Sequence, residues 1–253
     1  MGPITPVNEP STTPRRPSPA RESPPIIGRT NDLFSLGNCT VVITGGGRGL
    51  GIVLAGAVIE AGGDVVYLDL LPHAQRRRVG VCAKAGRPLQ DASTHRTCRV
   101  DITDAASTEH ILEQIAPDAL SPNMTLRGLV ICAGIQHWAP ALDYSVELWR
   151  KMLDVNVIGT FTSAKHCARI FKEQNFPASI VLIASMSGHI ANRGLTCTAY
   201  NSSKASVHRM CRSVAREWGQ YDIRINTLSA GYIRTARTFC FCLIIGNDFH
   251  TWR

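Results

Sequence analysis

Residues 41–51, Val41-Val42-Ile43-Thr44-Gly45-Gly46-Gly47-Arg48-Gly49-Leu50-Gly51, constrain this chain more than any other stretch. A β-branched run ends in a glycine cluster, and an apolar helical pattern from Ile52 to Ala61 follows at once. That reads as strand, tight turn, helix, with the turn at the helix N-terminus. Backbone N–H groups without helical partners and the positive end of the helix dipole collect there and suit a phosphate. Glycine permits positive φ and lets backbone approach a pyrophosphate closely. The spacing is T-G-x-x-x-G-x-G. It is neither the strict G-x-G-x-x-G pattern nor a Walker loop, because no Gly-Lys-Ser/Thr follows.

From Asn38 onward strand and helix patterns alternate. Strands are predicted near 39–44, 64–69, 97–102, 129–132, 179–184 and 223–228. Helices are predicted over 49–61, 105–115, 146–172 and 199–218, with a polar helical piece around Arg76-Arg77-Arg78. The strands read as continuous apolar runs, as strands buried on both faces do. The expected fold class is therefore α/β, a doubly wound parallel sheet with helices on both sides. In such sheets ligands bind beyond the carboxyl ends of the strands, near the point where the strand order reverses. Residues 1–32 are rich in Pro, Ser, Thr and Arg and offer little to bury, so this tail is expected to stay disordered. Its prolines argue against the amphipathic helix of a targeting segment, and the expected compartment is the cytoplasm.

At 253 residues the chain is long enough for one α/β domain with a large core. Lys plus Arg exceeds Asp plus Glu, 27 against 19, a net +8. The charge is dispersed between the tail and the arginine triplet, without a basic stripe interleaved with aromatics or a zinc or helix-turn-helix signature. A nucleic-acid partner is not expected. Nine scattered cysteines lack C-x-x-C or metal-ligand spacing and read as small hydrophobes in a reducing compartment. No apolar run reaches the ~20 residues needed to span a bilayer.

The chemistry gathers at predicted strand ends. Asp69 closes strand two, eighteen positions after Gly51. A carboxylate there accepts hydrogen bonds from adenosine ribose hydroxyls, which favours NAD. Opposing it to a 2′-phosphate at ~5 Å costs ~3 kcal/mol per unit charge pair at an effective dielectric of ~20. Arg48 pulls the other way, since a cation in the turn pairs with that phosphate. NAD is the favoured cofactor, with NADP left open. Asp101, at the predicted end of strand three, either meets the adenine amine or caps the helix that begins at Ala105.

Tyr200-Asn201-Ser202-Ser203-Lys204 places a phenol and an ammonium at i and i+4 on one helix face. Such a neighbour favours phenolate and lowers the tyrosine pKa from its reference of about 10, which suits proton transfer near neutral pH. Fifteen residues upstream Ser185 closes strand five, where its hydroxyl can hold a substrate oxygen beside Tyr200; Ser187 is a neighbouring alternative.

In this order Thr44-Gly45-x-x-x-Gly49-x-Gly51, Asp69, Cys132-Ala133-Gly134, Asn156-Val157-Ile158-Gly159, Ser185 and Tyr200-x-x-x-Lys204 resemble the short-chain dehydrogenases/reductases over about residues 36–235. Cys132 to Gln136 together with Ser185 to Ile190 resemble the polyol/sorbose-reductase-like branch. The resemblance implies a Rossmann-type fold over 33–235 and interconversion of a secondary alcohol, polyol or sugar-like, with a ketone using NAD(P). It implies Tyr200 as acid/base and Lys204 as the group that lowers its pKa and holds the nicotinamide ribose. Ser185 would orient the carbonyl and Asn156 would hold a relay water. For the cofactor it implies Gly45, Arg48, Gly49, Leu50, Gly51, Asp69, Asp101, Ala133, Gly134, Tyr200, Lys204, Gly231, Ile233 and Thr235, and no metal. Helices 146–172 and 199–218 are the surfaces through which family members dimerise, so a homodimer is expected.

This sequence departs from the family at three places. The family's Asn-Ala-Gly is Cys132-Ala133-Gly134, and its Pro-Gly is Ala230-Gly231. After Thr235 the family continues through a lid and a seventh strand, whereas Ala236–Arg253 does not resemble it. The expectation is six family strands with the seventh missing or replaced, in a chain truncated relative to the family. The alternative function is a catalytically impaired homologue that still binds the dinucleotide.

Overall fold

β1 (Cys39–Thr44) lies inside a parallel sheet whose other strands are β2 (Asp64–Asp69), β3 (His95–Arg99), β4 (Thr125–Ile131), β5 (Ala178–Ile183) and β6 (Ile223–Leu228). The spatial order is β3-β2-β1-β4-β5-β6. The computed structural model describes residues 33–70, 95–116 and 124–233. The chain divides into two units, Met1–Phe34 and Ser35–Arg253, and the sheet and its helices belong to the second. From β1 the chain winds outward to β3, then crosses back to β4 on the other flank. The reversal leaves a crevice above the carboxyl ends of β1 and β4.

The helices are α1 (Gly49–Glu60), α2 (Ala105–Ile115), α3 (Val146–Leu153), α4 (Thr160–Gln174) and α5 (Thr198–Trp218). Successive strand residues point to opposite faces, and β1 shows the consequence. Val41 and Ile43 pack with Val65, Tyr67, Ala55 and Ile59 on the α1 side. Val42 faces the other way, into a larger cluster that includes Val66, Leu68, Leu129, Ile131, Ile180 and Leu182. There α2, α4 and α5 contribute Leu112, Ile115, Phe171 and Val207. With cores on both faces, the two-sided burial read from the strands is present as expected.

Three sequence expectations are corrected here. The single helix over 146–172 is instead α3 and α4 joined by a π-helical turn, Asp154–Gly159. An apolar period near 3.6 does not register one extra residue in a turn, so the interruption is invisible to pattern. Strand three stops at Arg99. The Val100 amide still donates to the Asp69 carbonyl, at 3.0 Å, but Asp101 lies beyond the ladder. Asp101 is not the cap of the following helix either: its Oδ1 accepts from the Thr103 amide at 2.9 Å and the Thr103 hydroxyl at 2.8 Å. The N-cap is Asp104, which accepts from the Ser107 amide at 3.1 Å. The tail over 1–32, the arginine-triplet helix, Thr235, the 236–253 segment and the seventh-strand question lie outside the described residues.

Candidate active site

The glycine turn is built where side chains do not fit. Gly45 has φ +66°, and a Cβ on it would lie 2.7 Å from the Ala133 amide nitrogen. A Cβ on Gly51 would lie 2.3 Å from the Gly45 carbonyl oxygen. The turn is thereby pressed against the exit of β4, where the Ala133 amide donates to Thr44 Oγ1 at 3.3 Å. Gly49 and Leu50 open α1, and Arg48, exposed and extended, precedes them with no side-chain cap on the first helical amides. Asp69 Oδ2 accepts from the Gly47 amide at 2.9 Å, which fixes the carboxylate at the turn. A bare cradle, open amides at a helix N-terminus and a carboxylate beside them fit the pyrophosphate and ribose of a dinucleotide.

The other half of the site rises from α5 and β5. Lys204 Nζ lies 5.8 Å from the Tyr200 ring centroid, as two positions on one helix face require. Its ammonium donates to the Ile183 carbonyl oxygen at 2.7 Å. Only 7% of Lys204 is exposed. Burial pulls its pKa down from 10.5 to about 8. Burial pushes the neighbouring Cys132 thiol the other way, up to about 12, so near neutral pH that thiol carries no charge to offset the effect on lysine.

Ser185 stands two residues past the end of β5, its Oγ accepting from the Ser187 amide at 3.1 Å. Asn156 sits in the π turn, fully buried. Its Nδ2 donates to the Ile135 carbonyl at 2.9 Å and to Ser203 Oγ at 3.0 Å. Its Oδ1 accepts from the Ile135 amide at 2.8 Å. The asparagine thus clamps the strand leaving β4 onto the helix that carries Tyr200 and Lys204.

These groups share one cleft of about 230 Å³. Leu50, Gly134, Gly231 and Ile233 line it with Ser185, Tyr200 and Lys204. A phenol, an ammonium and a hydroxyl therefore face the same space as Leu50 in the first turn of α1.

Comparison with known proteins agrees with this geometry. The family model described as short chain dehydrogenase matches residues 39–239. This chain belongs to the short-chain dehydrogenases/reductases. A short-chain dehydrogenase/reductase of Aspergillus versicolor, notP', is 41% identical over 227 residues, 86% of this chain and 76% of that one. The galactitol 2-dehydrogenase of Rhizobium johnstonii is 36% identical, covering 80% of this chain and 74% of its own. Among solved structures, the NADPH-dependent 3-quinuclidinone reductase of Rhodotorula rubra superposes with a TM-score of 0.72 at 33% identity, over 87% of this chain and 79% of that one. The chain is an NAD(P)-dependent oxidoreductase acting on CH–OH groups, in the polyol-reductase-like branch of the family.

Of the residues singled out in the sequence, the family fold brings Gly134, Ser185, Tyr200, Lys204, Gly231 and Ile233 to the cleft, with Asn156 behind it. Asp69 and the glycines stand at its amino-terminal side. Asp101 uses Oδ1 within its own turn. Sequence reasoning missed Ser203, which ties Asn156 to α5, and it missed His208. The latter carried a signal, since positions 200, 204 and 208 follow one helix face.

Proposed function

We propose that this enzyme interconverts a secondary alcohol and its ketone, on a polyol or sugar-like substrate, with Tyr200 as the proton donor and acceptor. The observation that carries the reading is the convergence of Ser185, Tyr200 and Lys204 on one cleft beside the glycine turn. The substrate class is supported by the galactitol dehydrogenase relative. The dinucleotide, held by Gly45 to Gly51, Asp69, Ala133, Gly134, Lys204 and the 231–235 stretch, supplies hydride chemistry when bound. The protein's share is geometry and proton traffic. Ser185 Oγ donates to the substrate oxygen and fixes its distance from the Tyr200 phenol. In the reducing direction that phenol gives its proton to the oxygen as negative charge develops there. Lys204, kept cationic below about pH 8, stabilises the phenolate left behind. Asn156, in the π turn, holds the water that returns the proton.

NAD is the preferred cofactor in this reading, because Asp69 is fixed where a 2′-phosphate would meet a carboxylate. The domain runs over 33–235, it works as a homodimer through α3–α4 and α5, and it resides in the cytoplasm. Titration of the full chain with NADH and NADPH, beside turnover assays on galactitol, D-arabinitol and mannitol with each cofactor, tests the proposal. Turnover of a polyol with NAD ahead of NADP supports it. Dinucleotide binding with no turnover of any polyol or ketone refutes the catalytic reading.

A further inference from the structure

We infer that His208 is a positioning residue that sets the aim of Ser185, an inference that rests on the role proposed for Ser185. His208 lies one turn beyond Lys204 on α5 and is buried. Its Nε2 is 3.3 Å from the Ser185 carbonyl oxygen. A carbonyl only accepts, so Nε2 carries the hydrogen and donates it. Nδ1 is then the acceptor, and Thr227 Oγ1 on β6, 3.3 Å away, donates to it. Ser229 Oγ, just past β6, is 3.4 Å from the same Nε2 and 3.2 Å from Nε2 of His189. The His189 ring lies against that of His208 with centroids 3.9 Å apart. One imidazole therefore ties together the exit of β5, the exit of β6 and the helix bearing the proton donor.

The tie matters because Ser185 stands outside the sheet ladder. On the β5 side its backbone is anchored by neighbours, the Ala184 amide on the Leu228 carbonyl at 2.9 Å and the Met186 amide on the Ala230 carbonyl at 3.0 Å. Those anchors come from the exit of β6, where this chain has Ala230-Gly231, without a proline to stiffen the turn. His208 supplies a second, independent hold from α5, the same rigid element that carries Tyr200. The distance between the Ser185 hydroxyl and the Tyr200 phenol is thus set through one helix rather than through two loops. A misplacement of the order of 1 Å in such a pair costs roughly 10²-fold in rate. Burial, together with the nearby His189, Arg212 and Lys204, holds the His208 pKa below the ordinary imidazole value, against the pull of its bond to the Ser185 carbonyl, which favours the cation.

Two variants separate positioning from filling space. His208→Leu keeps most of the volume and removes the donor, whereas His208→Gln keeps an N–H that reaches the same carbonyl. In hydrogen–deuterium exchange on the full chain, His208→Leu is expected to speed exchange over residues 184–190 about 10-fold, with 39–44 unchanged and His208→Gln close to the parent. In turnover with the polyol and cofactor used most readily, His208→Leu lowers kcat about 10-fold at unchanged dinucleotide affinity, and His208→Gln recovers most of it. In a Ser185→Ala background His208→Leu adds no further loss. Unchanged exchange in His208→Leu, equal loosening in His208→Gln, or losses that multiply with Ser185→Ala would each overturn the inference. If Ser185→Ala alone turns over normally, the role proposed for Ser185 fails instead, and the exchange result still decides whether His208 holds that loop.

Discussion

The two flanks of the β1–β4 crevice are built on opposite terms. On the β1–β2 side the site is made by removing side chains: Gly45 and Gly51 leave backbone bare, and Asp69 is the carboxylate fixed against it. On the β4–β6 side it is made by burying polar ones: Asn156, Ser185, Ser203, Lys204 and His208 are each 9% exposed or less. Binding needs a shape that backbone alone can give. Proton transfer needs oriented dipoles and a perturbed ammonium, and these cost desolvation free energy that the hydrogen bonds within the cluster offset only in part. The first flank should fail by losing ligand, and the second by losing rate while keeping ligand.

The sharpest division is expected at Tyr200. Tyr200→Phe should cut turnover about 10²–10⁴-fold, while titration shows dinucleotide affinity within a few-fold of the parent. Weak binding in that variant would blur the two flanks into one. Gly51→Ala should give the converse. Its Cβ has nowhere to go beside the Gly45 carbonyl, overpacking of this kind costs ~1–3 kcal/mol, and fluorescence titration with NADH should show Kd rising about 10–100-fold.

Lys204→Met sharpens the energetic side of the contrast. The folded pKa of about 8 lies below the ordinary 10.5, so the folded protein sheds this proton first as pH rises. The burial penalty is full below about pH 8 and is relieved between about 8 and 10.5. Thermal melts should therefore show the methionine variant more stable than the parent at pH 7, with the gap closing towards pH 10, although turnover is lost. A variant less stable at pH 7 would mean that the ammonium's bond to Ile183 outweighs its desolvation. The smallest effect is expected at Asp69. Asp69→Ala should shift the ratio of NAD to NADP affinities about 10-fold towards NADP, less than the ~3 kcal/mol of an unscreened pair because the carboxylate is only partly buried.

The same contrast explains what could be read in advance. The first flank is written in consecutive residues: a β-branched run, glycines at fixed offsets, then Asp69 at the end of the next strand. The six-strand parallel sheet followed from apolar runs of strand length alternating with helical periods. Tyr200 and Lys204 were legible because helical spacing alone puts them on one face. The partners that orient the second flank come from far along the chain, and spacing is silent about them. Asn156 was recognisable by its motif, but its grip on Ile135 and Ser203 depends on a π turn that hydrophobic periodicity does not encode. Asp101 is the cap expected from the sequence, and Asp104 takes that place. The decision fell to Thr103, whose amide and hydroxyl both occupy Asp101 and leave Asp104 to start the helix.

The widened turn at Asp154–Gly159 has a consequence for how this protein tolerates change in length. Because this turn already carries one residue more than regular pitch requires, excising one there would let the coil close to regular pitch while the residues downstream keep their facing. The same deletion in the first turn of α4 would rotate everything beyond it by ~100° about the axis. Only in the second case would Phe171 and Cys167 swing out of the interior while charged neighbours swung in. What a one-residue loss in this short stretch would displace is the buried amide of Asn156, with the packing face of the helix that follows left in register.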